Sequence, residues 1–269
     1  MYKLLVTDLD GTLFNKEGNI GQSDIDAIRD LIGRGVHFAF ASGRITMACR
    51  EIISLLGIKC PCIYCDGALV YDAARDDVIY QNLLDKDILK EFISFSHENG
   101  IYLEMFSRTH LYAERPNWSD PIHTEFFSSF PTMVKFADIV ETEGILKSEL
   151  LSHTPKEEAM VEQFRARFED KCRFSLATSP SFPEVRFYNI LSNDTSKGNA
   201  VRALADHLGV SIDEVVAVGD GYNDISMLKE VGMPVAMGNA YDAVKEVAKY
   251  VTKDVKDCGV TDVIKRFFS

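Results

Sequence analysis

The chain holds no apolar run near the ~18 residues that a membrane-crossing helix needs, so membrane pumping is not expected of it. Its opening residues, Met1-Tyr2-Lys3-Leu4-Leu5-Val6-Thr7-Asp8, reach an acid too early for a secretory leader, and the expected location is the cytoplasm. The sequon Asn117-Trp118-Ser119 therefore carries little weight. Cysteine is sparse: the six residues at 49, 60, 62, 65, 172 and 258 do not make a disulfide framework. Cys60, Cys62 and Cys65 do cluster. The paired spacing and fourth ligand of a zinc site are missing, however, so they read as small hydrophobes of an apolar strand. Positive charge is also short, with 29 Lys and Arg against 41 Asp and Glu and a formal net charge of −12. That sign disfavours nucleic acid and anionic lipid as partners. It leaves open a small anion bridged by a metal, because a local cation overrides the global field. Internal repeats and low-complexity linkers are absent as well.

What is present is an ordinary globular composition, 46% hydrophobic and 26% charged, over 269 residues. That length suits one large domain or two modest ones. The first third alternates short apolar runs with helical spacing. Leu4-Leu5-Val6 reads as a buried strand ending at Asp8, and Ser23 to Ile32 as a helix with Ile25, Ile28, Leu31 and Ile32 on one face. Val36 to Ala41 is the next strand, followed by a helix over Thr46 to Leu56 and a strand over Cys62 to Cys65. The last third repeats the style. Asn199 to Leu208 reads as a helix, Glu214 to Gly219 as a strand, Asp224 to Val231 as a helix and Val235 to Met237 as a strand. Helices over Ala243 to Lys249 and Val260 to Phe268 complete it. Strand and helix in alternation predict a parallel sheet wrapped by helices.

The middle differs. Asp85 to His97 reads as a helix, Ile101 to Phe106 and His110 to Ala113 as neighbouring strands, and Thr154-Pro155-Lys156-Glu157 as a capped helix start. Further strands are expected at Arg173 to Leu176 and Val185 to Tyr188. This predicts an α+β insertion interrupting one α/β domain.

Four clusters follow predicted strands, where ligand sites of open parallel sheets form. The first is Asp8-Leu9-Asp10-Gly11-Thr12-Leu13. Two acids two residues apart repel unless a cation sits between them, and all-oxygen donors suit Mg²⁺. A capped turn is the plainer alternative. The second is Ser42-Gly43-Arg44, where a hydroxyl and an N–H could meet a phosphate at a helix start, or simply cap that helix. The third is Lys197-Gly198, just before a helix, where a lysine goes against the dipole preference. That placement makes sense if an anion lies between the two, and otherwise reads as an exposed side chain. The fourth is Gly219-Asp220-Gly221-Tyr222-Asn223-Asp224, a turn-forming sequence with more acids than a turn requires.

Taken in order, the four clusters resemble the motifs of the haloacid dehalogenase superfamily. Val235-Ala236-Met237-Gly238-Asn239-Ala240 and Asp257-Cys258-Gly259-Val260 resemble its Cof-type (type IIB) branch. The resemblance implies a Rossmann-like α/β core over residues 1–81 and 189–269, with an inserted α+β cap of the C2B type over 82–188. It implies Asp8 as nucleophile and Asp10 as general acid and base. Leu9 (through its N–H), Ser42, Gly43, Lys197 and Asn223 would bind the phosphoryl group. Mg²⁺ would be held by the Asp8 carboxylate, the Asp10 carbonyl and Asp220, with Asp224 either a ligand through water or a residue that orients Asp220 and Lys197. Two positions depart from the branch: Asp66 stands where Asn is common, and Asn189 where an acid is common. Asp66 is expected to cap its turn. Trp118, His97, His110, His123 and His153 lie in the expected cap and read singly as packing residues.

The expected activity is Mg²⁺-dependent hydrolysis of small phosphate monoesters, sugar phosphates above all. Its partner is then a small phosphorylated metabolite, and the chain a monomer or weak dimer. A phosphomutase would isomerise sugar phosphate with little free phosphate. A non-catalytic phosphometabolite-binding protein would bind tightly without turnover.

Overall fold

Leu4-Leu5-Val6-Thr7 is apolar enough to be covered on both faces. In the computed structural model, which describes residues 1–127, 130–179 and 182–269, it forms strand β1 (Leu4–Thr7), buried along its length. Helix α1 (Gln22–Gly33) follows and buries Ile25, Ile28 and Leu31. Then come β2 (His37–Phe40), α2 (Arg50–Leu56), β3 (Cys62–Tyr64), β4 (Leu69–Asp72) and β5 (Asp77–Gln81). The helix expected from Thr46 opens instead with a 3₁₀ turn over Thr46–Cys49. The middle holds α3 (Lys86–Asn99), β6 (Glu104–Phe106), β7 (Leu111–Ala113), α4 (Asp120–Phe127), β8 (Thr132–Met133) and α5 (Phe136–Ile139). It continues through β9 (Lys147–Ser152), α6 (Pro155–Phe168), β10 (Cys172–Ser179) and β11 (Phe182–Ser192). The chain closes with α7 (Lys197–Leu208), β12 (Val215–Gly219), α8 (Ile225–Glu230), β13 (Met233–Ala236), α9 (Asp242–Val247), β14 (Tyr250–Val251) and α10 (Gly259–Phe267). No helix among the described residues is long and apolar enough to cross a membrane.

These elements form two compact units. The first comprises Met1–Arg44, Cys49–Gln81 and Ser196–Ser269. Its main sheet runs β14-β13-β12-β1-β2, with every neighbouring pair parallel. Leu5 sits in register with Val216 on one side and Phe38 on the other. A parallel bridge from Ala41 to Ile63 leads on to the antiparallel β3-β4-β5 sheet. The α/β class expected from the alternation is what the structure shows. Because β1, β2 and β12 run the same way, Asp8, Ser42 and Asp220 all emerge just past their carboxyl ends.

The second unit comprises Ile45–Ala48 and Asn82–Thr195. Its sheet runs β10-β11-β9-β6-β7-β8 and is antiparallel except between β7 and β8. Phe92 of α3 and Phe164 and Phe168 of α6 pack with Met105, Leu150 and Ile190 of the strands into its core. Thr154 and Glu157 form the expected capping box at the start of α6. Asn189, placed by the sequence at the start of the second core segment, lies inside β11 opposite Glu149. The strand expected from Ile101 begins only at Glu104, while β10 and β11 extend well past the expected four-residue stretches. Central strand β9 has no counterpart in the sequence reading, because Lys147 and Glu149 interrupt its apolar run.

Candidate active site

The site begins where β1 ends. The Asp8 N–H donates to Val218 O at 2.9 Å, continuing the sheet by one residue, and Asp8 is buried. The chain then turns tightly: Leu9 O accepts from the N–H groups of Leu13 and Phe14 at 2.9 and 2.8 Å. Gly11 makes that turn possible. Its φ of +91° belongs to the left-handed region, and a Cβ there would lie 2.3 Å from Asp220 Oδ2. The first and fourth motifs are therefore pressed together at a point that tolerates no side chain.

Lys197 is the first residue of α7, whose N-cap Ser196 accepts the Asn199 N–H at 3.1 Å. Its side chain is fully buried. Nζ donates to Asp8 Oδ1 at 2.6 Å and to Asp224 Oδ1 at 2.7 Å, so the anions beside this lysine are the chain's own carboxylates. The other Asp224 oxygen, Oδ2, accepts from the N–H groups of Asp220 and Gly221, both at 2.9 Å. Thr12 Oγ1 donates to Asp220 Oδ1 at 3.0 Å, a contact the sequence reading missed although Thr12 lies inside the first motif.

Asp8, Asp220 and Asp224 each bring a carboxylate oxygen within 4.8 Å of the others. Against one ammonium they leave two negative charges uncompensated. The carboxyl groups register that imbalance. Burial raises Asp8 well above the ordinary range; Lys197 opposes the rise and the neighbouring acids add to it. Burial, with Asp224 adding to it, pushes Asp220 up to about 6. Burial pulls on Lys197 in the other direction, but Asp224 and Asp8 more than offset it, and the ammonium holds its proton more tightly than usual. An all-oxygen donor set that is short of positive charge fits a hard divalent cation such as Mg²⁺. The residues present fit the group that the motifs imply.

The remaining candidates surround this centre. Ser42 is buried, and its Oγ accepts the Arg44 N–H at 3.1 Å. Arg44 forks onto Asp10, with Nε 3.0 Å from Oδ2 and Nη2 2.6 Å from Oδ1, while its guanidinium lies 4.7 Å from the centroid of the Phe14 ring. Asn223 Nδ2 donates to Asp66 Oδ1 at 2.8 Å. Asp66, expected to cap its turn, makes this contact across the fold. It is buried and tied to a residue 157 positions away. Neither the Arg44 fork nor the Asp66 contact has a local sequence signal, since each needs two loops brought together. Asn239 Nδ2 donates to Gly11 O at 2.8 Å, fastening the loop after β13 to the first motif.

Other candidates lie elsewhere. Burial pushes the Cys60 thiol up to about 12 and raises Cys62 well above its usual range too, and Cys60 Sγ donates to Phe38 O at 2.7 Å. Among the described residues no metal-holding cluster includes a cysteine. Within the second unit, Trp118 packs against Ile122, Leu151, Val185 and Phe187. His153 contacts the Trp118 ring, and His110 stacks on Tyr112. His97 pairs with Glu114 and His123 with Glu104.

Comparison with known proteins places this geometry. Residues 5–264 match the model of a family described as haloacid dehalogenase-like hydrolase. The chain is 28% identical over 271 residues to the 5-amino-6-(5-phospho-D-ribitylamino)uracil phosphatase YcsE of Bacillus subtilis (strain 168), with 98% of this chain and 95% of that protein covered. It resembles the crystal structure of TM0651 from Thermotoga maritima at 28% identity and a TM-score of 0.85, covering 99% of this chain and 97% of that one. It shares the fold of BT4131, described as a HAD subclass IIB sugar phosphatase, at 24% identity and a TM-score of 0.79 over 99% of each chain.

Proposed function

The chain belongs to the haloacid dehalogenase-like hydrolase family and is a phosphatase of its Cof-type branch; from that premise we propose that it hydrolyses small phosphate monoesters, sugar phosphates above all, in a Mg²⁺-dependent reaction through an aspartyl-phosphate on Asp8. The observation that carries this reading is the buried Lys197 ammonium shared by Asp8 and Asp224 beside Asp220. Phosphoryl transfer is mostly positioning and charge neutralisation, and that is what the arrangement offers.

The free Asp8 oxygen attacks phosphorus while the ester oxygen leaves and takes a proton from Asp10. Water then attacks the acyl phosphate and gives its proton to Asp10, which releases inorganic phosphate and restores the Asp8 carboxylate. Lys197 fixes the Asp8 carboxylate through Oδ1 and offsets part of the charge gathered there. Ser42 Oγ–H, Asn223 and the Leu9 and Gly43 N–H groups meet the phosphoryl oxygens. Arg44 forks onto both Asp10 oxygens, and one of these contacts has to open for Asp10 to carry the proton it donates. Asp8, the Asp10 carbonyl and Asp220 are the groups to hold Mg²⁺. Asp224 anchors Lys197 and the Asp220 loop. When bound, the ion supplies the positive charge that lets an anionic ester approach a carboxylate nucleophile. The substrate in the name of YcsE, a phosphorylated ribityl compound, belongs to the class proposed.

The test is phosphate release from a panel of phosphate monoesters, with Mg²⁺ and with EDTA, by wild type and Asp8→Asn. Wild type is expected to turn over only with Mg²⁺, and the variant to lose at least ~10³-fold. Sustained Mg²⁺-dependent turnover by Asp8→Asn overturns the nucleophile assignment.

A further inference from the structure

Three successive residues after β3 have positive φ: Cys65 at 51°, Asp66 at 53° and Gly67 at 101°. Such a run is costly for side-chain-bearing residues and persists only where its surroundings hold it. Here both flanks do so. Cys65 N–H donates to Arg44 O and Asp66 N–H to Ser42 O, both at 3.0 Å. On the other side a Cβ on Gly67 would lie 2.2 Å from Ser196 O, so the turn is wedged between the second and third motifs. The turn delivers one charged side chain. The Asp66 carboxylate is buried, accepts from Asn223 Nδ2 at 2.8 Å and lies flat against Gly43, where an added Cβ would sit 3.2 and 3.3 Å from its two oxygens. Asn223 and Gly43 are both phosphate-binding groups in the proposed reaction.

We propose that Asp66 is a positioning residue with two separable effects: it fixes the Asn223 carboxamide, and its charge weakens the hold of the site on phosphate. This rests on the phosphatase reading above. The first effect follows from hydrogen-bond chemistry. A carboxylate only accepts, so the NH₂ end of Asn223 must face Asp66. The amide oxygen then lies against Gly221, where a Cβ would sit 2.6 Å from it. One N–H is committed to Asp66 and the second is left, in a set direction, for a phosphoryl oxygen. The second effect follows from charge. A buried carboxylate in contact with two phosphate-binding residues repels a phosphate dianion at short range, where little water screens it. An asparagine in its place has nearly the same shape and can still accept, but carries no charge.

The experiment is calorimetric titration of inorganic phosphate into the full chain with Mg²⁺ present, beside steady-state turnover of p-nitrophenyl phosphate, for wild type, Asp66→Asn and Asp66→Ala. Asp66→Asn is expected to bind phosphate about tenfold more tightly, with KM and the inhibition constant for phosphate falling in step. Asp66→Ala, which also frees Asn223, is expected to lose about tenfold in kcat, with Asp66→Asn retaining more of it. If Asp66→Ala fails to fold, the Asn variant alone decides. Phosphate affinity unchanged or weakened in Asp66→Asn overturns this inference and leaves the phosphatase reading standing. A wild type that turns over no ester and binds no phosphate overturns both.

Discussion

In the core unit one buried ammonium, Lys197, serves Asp8 and Asp224, with Asp220 beside them. In the inserted unit Lys147 donates to Glu149 and Asn189 and lies over the Phe106 ring, while His123 Nε2 sits 2.8 Å from Glu104 Oε1. Both units therefore bury charge, but the balance differs. Lys147 and Glu149 cancel. Burial lowers the proton affinity of His123, but Glu104 more than restores it, and burial raises Glu104 as well. With one proton between its members the pair would be neutral whichever member carried it. The core set has three carboxylates for one ammonium. A balanced buried set needs no further counter-charge. An unbalanced one calls for a counter-charge, which the proposed cation would supply.

The widest separation between the units comes from removing each lysine. Lys197→Met leaves Asp8 and Asp224 buried without a cation. Phosphatase activity is expected to fall by ~10³-fold or more, with stability down by about 3–5 kcal/mol in urea unfolding without metal. Added Mg²⁺ restores part of that stability, because the remaining site is more negative still. Lys147→Met is expected to cost about 3 kcal/mol by the same measurement, with no recovery on adding Mg²⁺. Lys147→Met combined with Glu149→Leu regains most of the loss, since an apolar pair replaces a balanced ionic one. Mg²⁺ rescue of Lys147→Met would break the contrast.

The smallest effect concerns pH. The folded pKa of Asp220, about 6, lies above the unfolded value near ~4. The folded metal-free protein therefore holds this proton more tightly than the unfolded chain. The penalty for ionising it builds up between those two values as pH rises and is constant above. In the proposed site Mg²⁺ would take the place of that proton. The rise in Tm produced by Mg²⁺ is thus expected to grow from about pH 5 to about pH 7, and to be smaller and flatter in Asp220→Asn. A metal-induced shift that is constant across this range would contradict the assignment of Asp220 to the cation.

The same contrast explains what could be read along the chain. β1 and β12 are legible because both faces are buried, which leaves continuous apolar runs. The clusters at Asp8, Ser42 and Asp220 are legible because each follows such a run, whereas Lys197 opens α7 beyond the loop after β11. β9 is not, although it is central to its sheet: Lys147 and Glu149 look like surface residues until Asn189, Phe106 and each other cover them. Thr12 and Arg44 lie within recognised motifs, but their partners, Asp220 and Asp10, depend on how two loops meet. Asp66 stood out along the chain only as a departure from the branch pattern at a turn position.

By itself the sequence determined the parallel core, its interruption by a second unit, and the residue types gathered at the strand ends. Hydrophobic period and turn chemistry are local properties, and they survive without the fold. Only the tertiary structure decided which acids share Lys197, that Asp66 reaches Asn223, and that the charges of β9 are buried. Those are pairings across 189, 157 and 42 positions. An ion pair or hydrogen bond depends on distances of about 3 Å, which no spacing along the chain can state.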